Sequence, residues 1–197
     1  MKRIAALALV ATACTYVGPS QVPSTNEGAW ADARDAWTRR AKLYDVLDDV
    51  AFATATYQAP AVREARVDRM AIWKGSLPAE RDAALAKERA EAAEGEEFLL
   101  AFFTDDRRAN DLASERPSWR VALVVDGTEQ ALPAKVTTVK RDPTLEALYP
   151  QITGFDTIYR VVFPRYPGAR PLHELPFQLR IAGALGKLDL SYAPPRS

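Results

Sequence analysis

The densest group of side chains that could bind a ligand lies between residues 104 and 112. It consists of Asp105, Asp106, Arg107, Arg108, Asn110 and Asp111. Carboxylate and amide oxygens suit calcium, but the spacing is not that of an EF-hand, and the two arginines would neutralise a cation site. An alternative is that these residues form Asx-turns and ion pairs that fix a crossing between strands. If the protein has a binding loop, we expect it here, because long loops between strands often carry function.

The single histidine, His173, lies in a segment bounded by Pro171 and Pro176. Histidine can act as a general base or as a zinc ligand. A catalytic zinc needs several His or carboxylate ligands, and a serine hydrolase needs a Gly-x-Ser-x-Gly elbow, which the sequence lacks. The sequence therefore favours a surface loop for His173, and we predict no catalytic residue and no metal ligand.

Cys14 is the only cysteine, so neither an intrachain disulfide nor a thiolate metal cluster can form. It follows a positively charged start at Lys2 and Arg3, an apolar stretch over 4–13, and small residues at 11–13. This arrangement is typical of a secretion signal that ends at a cysteine. The apolar run is also shorter than the roughly twenty residues that a membrane-spanning helix needs.

The segment resembles the signal of bacterial lipoproteins, in which small residues precede an invariant cysteine, although Ala11 replaces the usual leucine. The resemblance implies that residues 1–13 are removed and that Cys14 is lipidated and becomes the new N-terminus. It further implies attachment to a membrane of the cell envelope, and Thr15, which is not aspartate, favours the outer membrane. An uncleaved anchor and ordinary cleavage to a product without lipid are the alternatives.

Charge and motifs exclude several classes of partner. The chain carries 26 basic and 26 acidic residues, and removal of Lys2 and Arg3 would leave it slightly acidic. The sequence has neither a basic patch interleaved with aromatic residues nor a glycine-rich phosphate loop, so we predict no nucleic-acid partner and no cofactor. An enzyme is less expected than a binding protein, yet two carboxylates that meet only in the fold would leave no motif.

Residues 15–26 are polar and are interrupted by Pro19 and Pro23, which predicts a tether without helix or central strand. Ser24 and Glu27 have the spacing of a capping box, so we expect a helix to begin there. Such a tether would let the folded part stand away from a membrane surface.

Aromatic residues then recur every seven positions, at Trp30, Trp37 and Tyr44. This spacing predicts that the helix continues past Tyr44 with one aromatic face packed on the rest of the protein. Residues 50–57 are β-branched, aromatic and alternating, which favours a strand over continued helix. Proline starts and glycine stops predict two further helices, over 60–74 and 78–94.

The remainder of the chain is rich in strand signals. Alternating or continuous apolar runs predict six strands, over 98–103, 119–125, 132–140, 158–163, 177–182 and 188–192. Asp126-Gly127 predicts a tight hairpin turn between the second strand and the third. Short amphipathic strands joined by turns are typical of an immunoglobulin-like antiparallel sandwich, in which Trp119 would be the core tryptophan.

The sequence therefore predicts an α+β protein with an N-terminal helical segment packed against a C-terminal antiparallel immunoglobulin-like β-sandwich. The expected regions are a signal peptide at 1–13, lipidated Cys14 with its tether at 14–26, a mainly helical region at 27–95 and the sandwich at 96–197. For function we predict a lipid-anchored, non-enzymatic module of the cell envelope that binds or assembles with a protein partner. A carrier of lipid or another apolar ligand, and an envelope hydrolase without a recognisable motif, are the alternatives.

Overall fold

The computed structural model describes residues 27–45, 48–133 and 135–194, so Cys14, the signal, the tether and Ser24 lie outside the described residues. Its helices are α1 (Glu27–Ala36), α2 (Pro60–Lys74), α3 (Pro78–Glu94) and α4 (Pro143–Leu148). Its strands are β1 (Thr38–Asp45), β2 (Asp48–Tyr57), β3 (Gly95–Thr104), β4 (Trp119–Val125), β5 (Thr128–Ala131), β6 (Lys135–Thr138), β7 (Thr157–Pro164), β8 (Phe177–Gly183) and β9 (Gly186–Tyr192). The α+β class is confirmed.

The strands form two antiparallel sheets, a five-stranded sheet in the order β1-β2-β3-β7-β6 and a four-stranded sheet in the order β5-β4-β8-β9. Alternate side chains of both sheets point inwards and form one buried core. The immunoglobulin-like arrangement is not confirmed. β1 and β2, from the region predicted to be mainly helical, supply two strands of the larger sheet, and α4 lies between β6 and β7, so the helices are not all N-terminal.

The two sheets approach closely beside β2, whose inward side chains are the small Ala51, Ala53 and Ala55. There the Tyr192 hydroxyl at the end of β9 donates to the carbonyl of Ala55 at 2.8 Å. Arg39 of β1 donates to the carbonyl of Ser191 at 2.9 Å. Larger side chains on β2 would prevent this contact, because a packed interior has no spare volume.

The predicted continuation of the first helix through Tyr44 is wrong. α1 ends at Ala36, Trp37 occupies the turn that follows it, and Tyr44 lies on β1. Pairing of β1 with β2 overrides the seven-residue aromatic spacing, since the alternation along β1 buries part of Ala41 and Leu43. Trp30 and Trp37 are both buried, as one packed face requires, but they lie in different elements.

The other predicted elements depend on local signals and are mostly confirmed. The strand at 50–57 and both later helices form, with Gly75 at φ 61° after α2. Five of the six later strands are confirmed, and Asp126 and Gly127 form the tight turn with φ values of 50° and 74°. The predicted strand at 132–140 forms in part, as β6, but its predicted place as the hairpin return is wrong: β5 makes the return, and after Pro133 the chain crosses to the other sheet, where β6 pairs with β7.

Candidate functional site

The polar loop at 105–111 holds itself together with its own side chains. Asp106 accepts hydrogen bonds from the backbone N–H and the guanidinium of Arg108, each at 3.0 Å, and these bonds lower the pKa of Asp106. Asp111 accepts from the N–H and hydroxyl of Ser118 at 2.8 and 3.0 Å. The Asn110 side chain donates to the carbonyl of Phe102 at 2.7 Å. Asp106 thus forms an Asx-turn and an ion pair, as the alternative without a ligand predicts, and Asn110 and Asp111 bond the loop to neighbouring parts of the chain.

Four of the predicted loop residues, Asp105, Asp106, Arg107 and Arg108, are exposed on this surface. Asn110 and Asp111 are half-buried, and Asn110 also accepts from the Tyr159 hydroxyl through its backbone and side-chain oxygens. The structure therefore brings the six residues into one loop, where the inner two brace strands. A binding role for the outer four stays a prediction.

His173 is half-buried in a short 3₁₀ helix and lines a cleft of about 440 Å³. The cleft lies between the α2–α3 pair and the chain that follows β7, and Arg89 and Arg165 also line it. On its wall the Tyr57 hydroxyl donates to Glu96 Oε2 at 2.5 Å. Burial and the charge of Glu96 raise the pKa of Tyr57 above its usual range, so Tyr57 stays a hydrogen-bond donor.

Beside this cleft a network of charges around the buried Arg63 joins the helices to the five-stranded sheet. Arg63 of α2 donates to Glu88 of α3 at 2.8 Å and to Glu97 of β3 at 2.9 Å. Arg66 shares Glu88 at 2.7 Å, and Arg160 of β7 shares Glu97 at 2.8 Å. Burial alone would raise the pKa of Glu97, but the hydrogen bond from Arg160 and the charge of Arg63 outweigh it, so this pKa lies below its usual range.

This lowered pKa predicts acid sensitivity. Because the carboxylate of Glu97 is favoured in the fold, its stabilisation is complete above the unfolded pKa of about 4.3 and is lost as pH falls through the folded value. We expect the free energy of unfolding, measured in urea between pH 7 and pH 2.5, to fall below about pH 4.3. The decline should be shallower in Glu97→Gln. A Glu97→Gln curve with the parent's slope would contradict this assignment.

The second cleft, of about 540 Å³, lies on the outer face of the five-stranded sheet, and we call it the aromatic groove. Lys42, Phe52 and Phe103 form one cross-strand row on its floor, and the two phenyl rings stack with centroids 5.5 Å apart. Its opposite wall is the chain after α4, where Phe155 is 75% exposed. The groove therefore presents an apolar surface that the helices leave uncovered.

Cations line one side of the aromatic groove. Arg40 and Lys42 are exposed on β1, and neither has a carboxylate partner among the residues that the structure describes. Lys42 Nζ lies 5.1 Å from the centroid of the Phe52 ring, a cation–π contact. The carboxylate of Asp156 on the opposite wall is already bonded to the N–H and hydroxyl of Thr153 at 2.6 and 2.8 Å. Positive charge beside apolar rings thus characterises this site.

Sequence reasoning missed the aromatic groove. The apolar run at 98–103 predicts burial on both faces, whereas Phe103 is only half-buried, at the open part of the sheet. The alternation of charged Arg40 and Lys42 with apolar Ala41 and Leu43 could have revealed an exposed strand face. No sequence pattern within either segment could have predicted that Phe155 lies opposite this face of the sheet.

Two further observations bound the chemistry of the described residues. None of their helices is long and apolar enough to cross a membrane. No three of their His, Cys, Asp or Glu side chains gather as a metal site would require. Comparison of the chain with protein-family models, with curated proteins and with solved structures found no match.

Proposed function

We propose that this protein is a lipid-anchored binding module of a bacterial cell envelope. The proposed anchor is Cys14, at the end of a lipoprotein-like signal, and Thr15 favours the outer membrane. The observation that supports binding is the aromatic groove, a cleft of about 540 Å³ with stacked phenyl rings on its floor. Concave sites that combine apolar walls with a few polar groups are where proteins take ligands.

The chemistry of the groove favours one kind of occupant, a segment of an envelope protein with an acidic residue beside an apolar one. The stacked rings of Phe52 and Phe103 offer apolar contact area, and exposed Phe155 can close over a bound side chain. Arg40 and Lys42 have no carboxylate partner within the described part of the chain, so an acidic residue of the partner protein would pair with them.

Site-specific photo-crosslinking in intact envelopes tests this proposal. A photoreactive residue is placed at Phe155 or at Arg40 in the groove, and at Arg120 on the outer face of the four-stranded sheet as the matched control. We expect both groove positions to capture the same protein, identified by mass spectrometry, and Arg120 not to capture it. The same variants carrying Cys14→Ser should leave the membrane fraction and lose this capture.

Charge reversal then ties the captured protein to the groove. Arg40→Glu with Lys42→Glu should weaken binding of the purified partner by about tenfold or more, and more strongly at low salt. Arg120→Glu should change the affinity little. Equal capture from Arg120, or an affinity that the groove reversal leaves unchanged, would contradict the binding role. A Cys14→Ser protein that stays in the membrane fraction as the parent does would contradict the anchor.

A further inference from the structure

The last turn of α2 and the connection to α3 hold three large apolar side chains in solvent. Ile72, Trp73 and Leu77 are all exposed, and together we call them the apolar tip. Gly75 adopts a φ of 61°, and the N–H groups of Gly75 and Ser76 close the end of α2 by donating to the carbonyls of Ile72 and Ala71. These bonds cap the end of α2, so Ile72 and Trp73 are held on a closed helix turn.

The side chains around the apolar tip suit the boundary between water and lipid. The guanidinium of Arg69, which is itself buried, lies 4.6 Å from the centroid of the Trp73 ring, and Lys74 is the exposed cation next to Trp73. An exposed tryptophan next to an exposed lysine is a pairing found where helices meet the membrane interface, because the ring is amphipathic and the lysine can reach the headgroups.

The described chain begins, at the first residue of α1, at the same end of the molecule as the apolar tip. Trp37, just after α1, lies 5.4 Å from Tyr57, which precedes α2. Near the start of α1, Trp30 donates to the carbonyl of Leu148. Leu148 lines a separate surface pocket together with Val67 and Met70 of α2. α1 therefore runs back along α2, and its first residue lies towards the C-terminal end of α2, where the apolar tip begins.

We infer that the apolar tip inserts into the headgroup region of the bilayer to which Cys14 is attached. The inference rests on the proposed lipid anchor, because three side chains bind a membrane weakly unless a tether keeps them close to it. The twelve residues at 15–26 span at most about 40 Å, so the turn stays within reach of the surface. Insertion would fix the orientation of the folded part on the membrane.

The tryptophans of this chain give a direct test. Trp73 is 40% exposed, while Trp30, Trp37 and Trp119 are buried, so quenchers in the bilayer reach Trp73 selectively. The lipidated full chain is reconstituted into phosphatidylcholine vesicles whose acyl chains carry bromine. We expect blue-shifted, quenched emission that Trp73→Phe abolishes, and about threefold less quenching in Ile72→Ser/Leu77→Ser.

Exposed Leu185, in the turn between β8 and β9, supplies the matched control: Leu185→Ser should leave quenching unchanged. Each variant is also sedimented with its vesicles, and circular dichroism checks its fold. Protein that sediments but shows no quenching of Trp73 would overturn the insertion and leave the anchor standing. If the purified full chain carries no covalent lipid at Cys14 and does not sediment with the vesicles, the anchor is overturned. The basis of this inference is then lost with it.

Discussion

Replacing Arg63 by alanine should lower the free energy of unfolding by about 3–5 kcal/mol. The Arg63 side chain is only 4% exposed, and it donates to Glu88, to Glu97 and, at 3.0 Å, to the carbonyl of Gln58. Its loss leaves the half-buried carboxylates of Glu88 and Glu97 with one cation fewer each, and leaves the carbonyl of Gln58 without this donor. Urea unfolding at pH 7, followed by circular dichroism, measures the change.

Arg81 is the matched control for this substitution. It pairs with Asp68 at 2.7 Å, a distance as short as those in the buried network, but both side chains are 36% exposed. Because solvent screens such a pair, Arg81→Ala should lower the free energy of unfolding far less than Arg63→Ala does. If Arg63→Ala and Arg81→Ala unfold at the same urea concentration, the buried network does not hold the helices on the sheet.

The second large effect is expected at Phe98, whose truncation to alanine should cost about 3–5 kcal/mol. Phe98 is fully buried on β3, and its ring lies 5.0 Å from Tyr57 and 5.7 Å from Phe163, centroid to centroid. It also meets Phe177 and Tyr192 of the other sheet at 6.1 and 5.8 Å. Truncation would open a cavity between the sheets, and urea unfolding would show a lower midpoint.

Phe155→Ala is the control for Phe98→Ala, because it makes the same change from phenylalanine to alanine at an exposed position. Since Phe155 is not part of the core, we expect its stability to stay within about 0.5 kcal/mol of the parent's. Binding of the crosslinked partner to this variant should nevertheless weaken, because the wall of the aromatic groove is lost. A Phe155→Ala protein as unstable as Phe98→Ala would contradict the assignment of Phe155 to a surface site.

The elements that the sequence predicts correctly are those whose boundaries are marked locally. Pro60 and Pro78 begin α2 and α3, Gly75 ends α2, and Asp126-Gly127 turns β4 into β5. Each signal acts through backbone dihedral angles of one or two residues, so no distant contact is needed to interpret it.

The errors concern elements that distant pairing decides. β1 carries two arginines and a lysine within eight residues, and its strand form depends on β2 beside it. β6 joins the five-stranded sheet because β7, about twenty residues later, supplies its partner. A helical period or a hairpin-turn signal does not predict which strands pair, because the pairing depends on both segments together.

The candidate site divides in the same way. The loop at 105–111 is found from its density of polar side chains. The sequence cannot show that the side chains of Asn110 and Asp111 form hydrogen bonds with the backbone of Phe102 and Ser118. The aromatic groove joins Lys42, Phe103 and Phe155, which only the fold brings together. Cys14 lies outside the described residues, so its lipidation stays a proposal that the Cys14→Ser variant tests.

The close approach of β9 to β1 also bears on self-association. β1 and β9 are edge strands of their sheets, and an edge strand offers backbone groups to which another copy of the chain could add. Here Arg39 occupies the carbonyl of Ser191, and its guanidinium lies 5.3 Å from the centroid of the Tyr192 ring. Each of these two edges thus shields the other, which would hinder a second copy of the chain from adding a strand to β1 or β9.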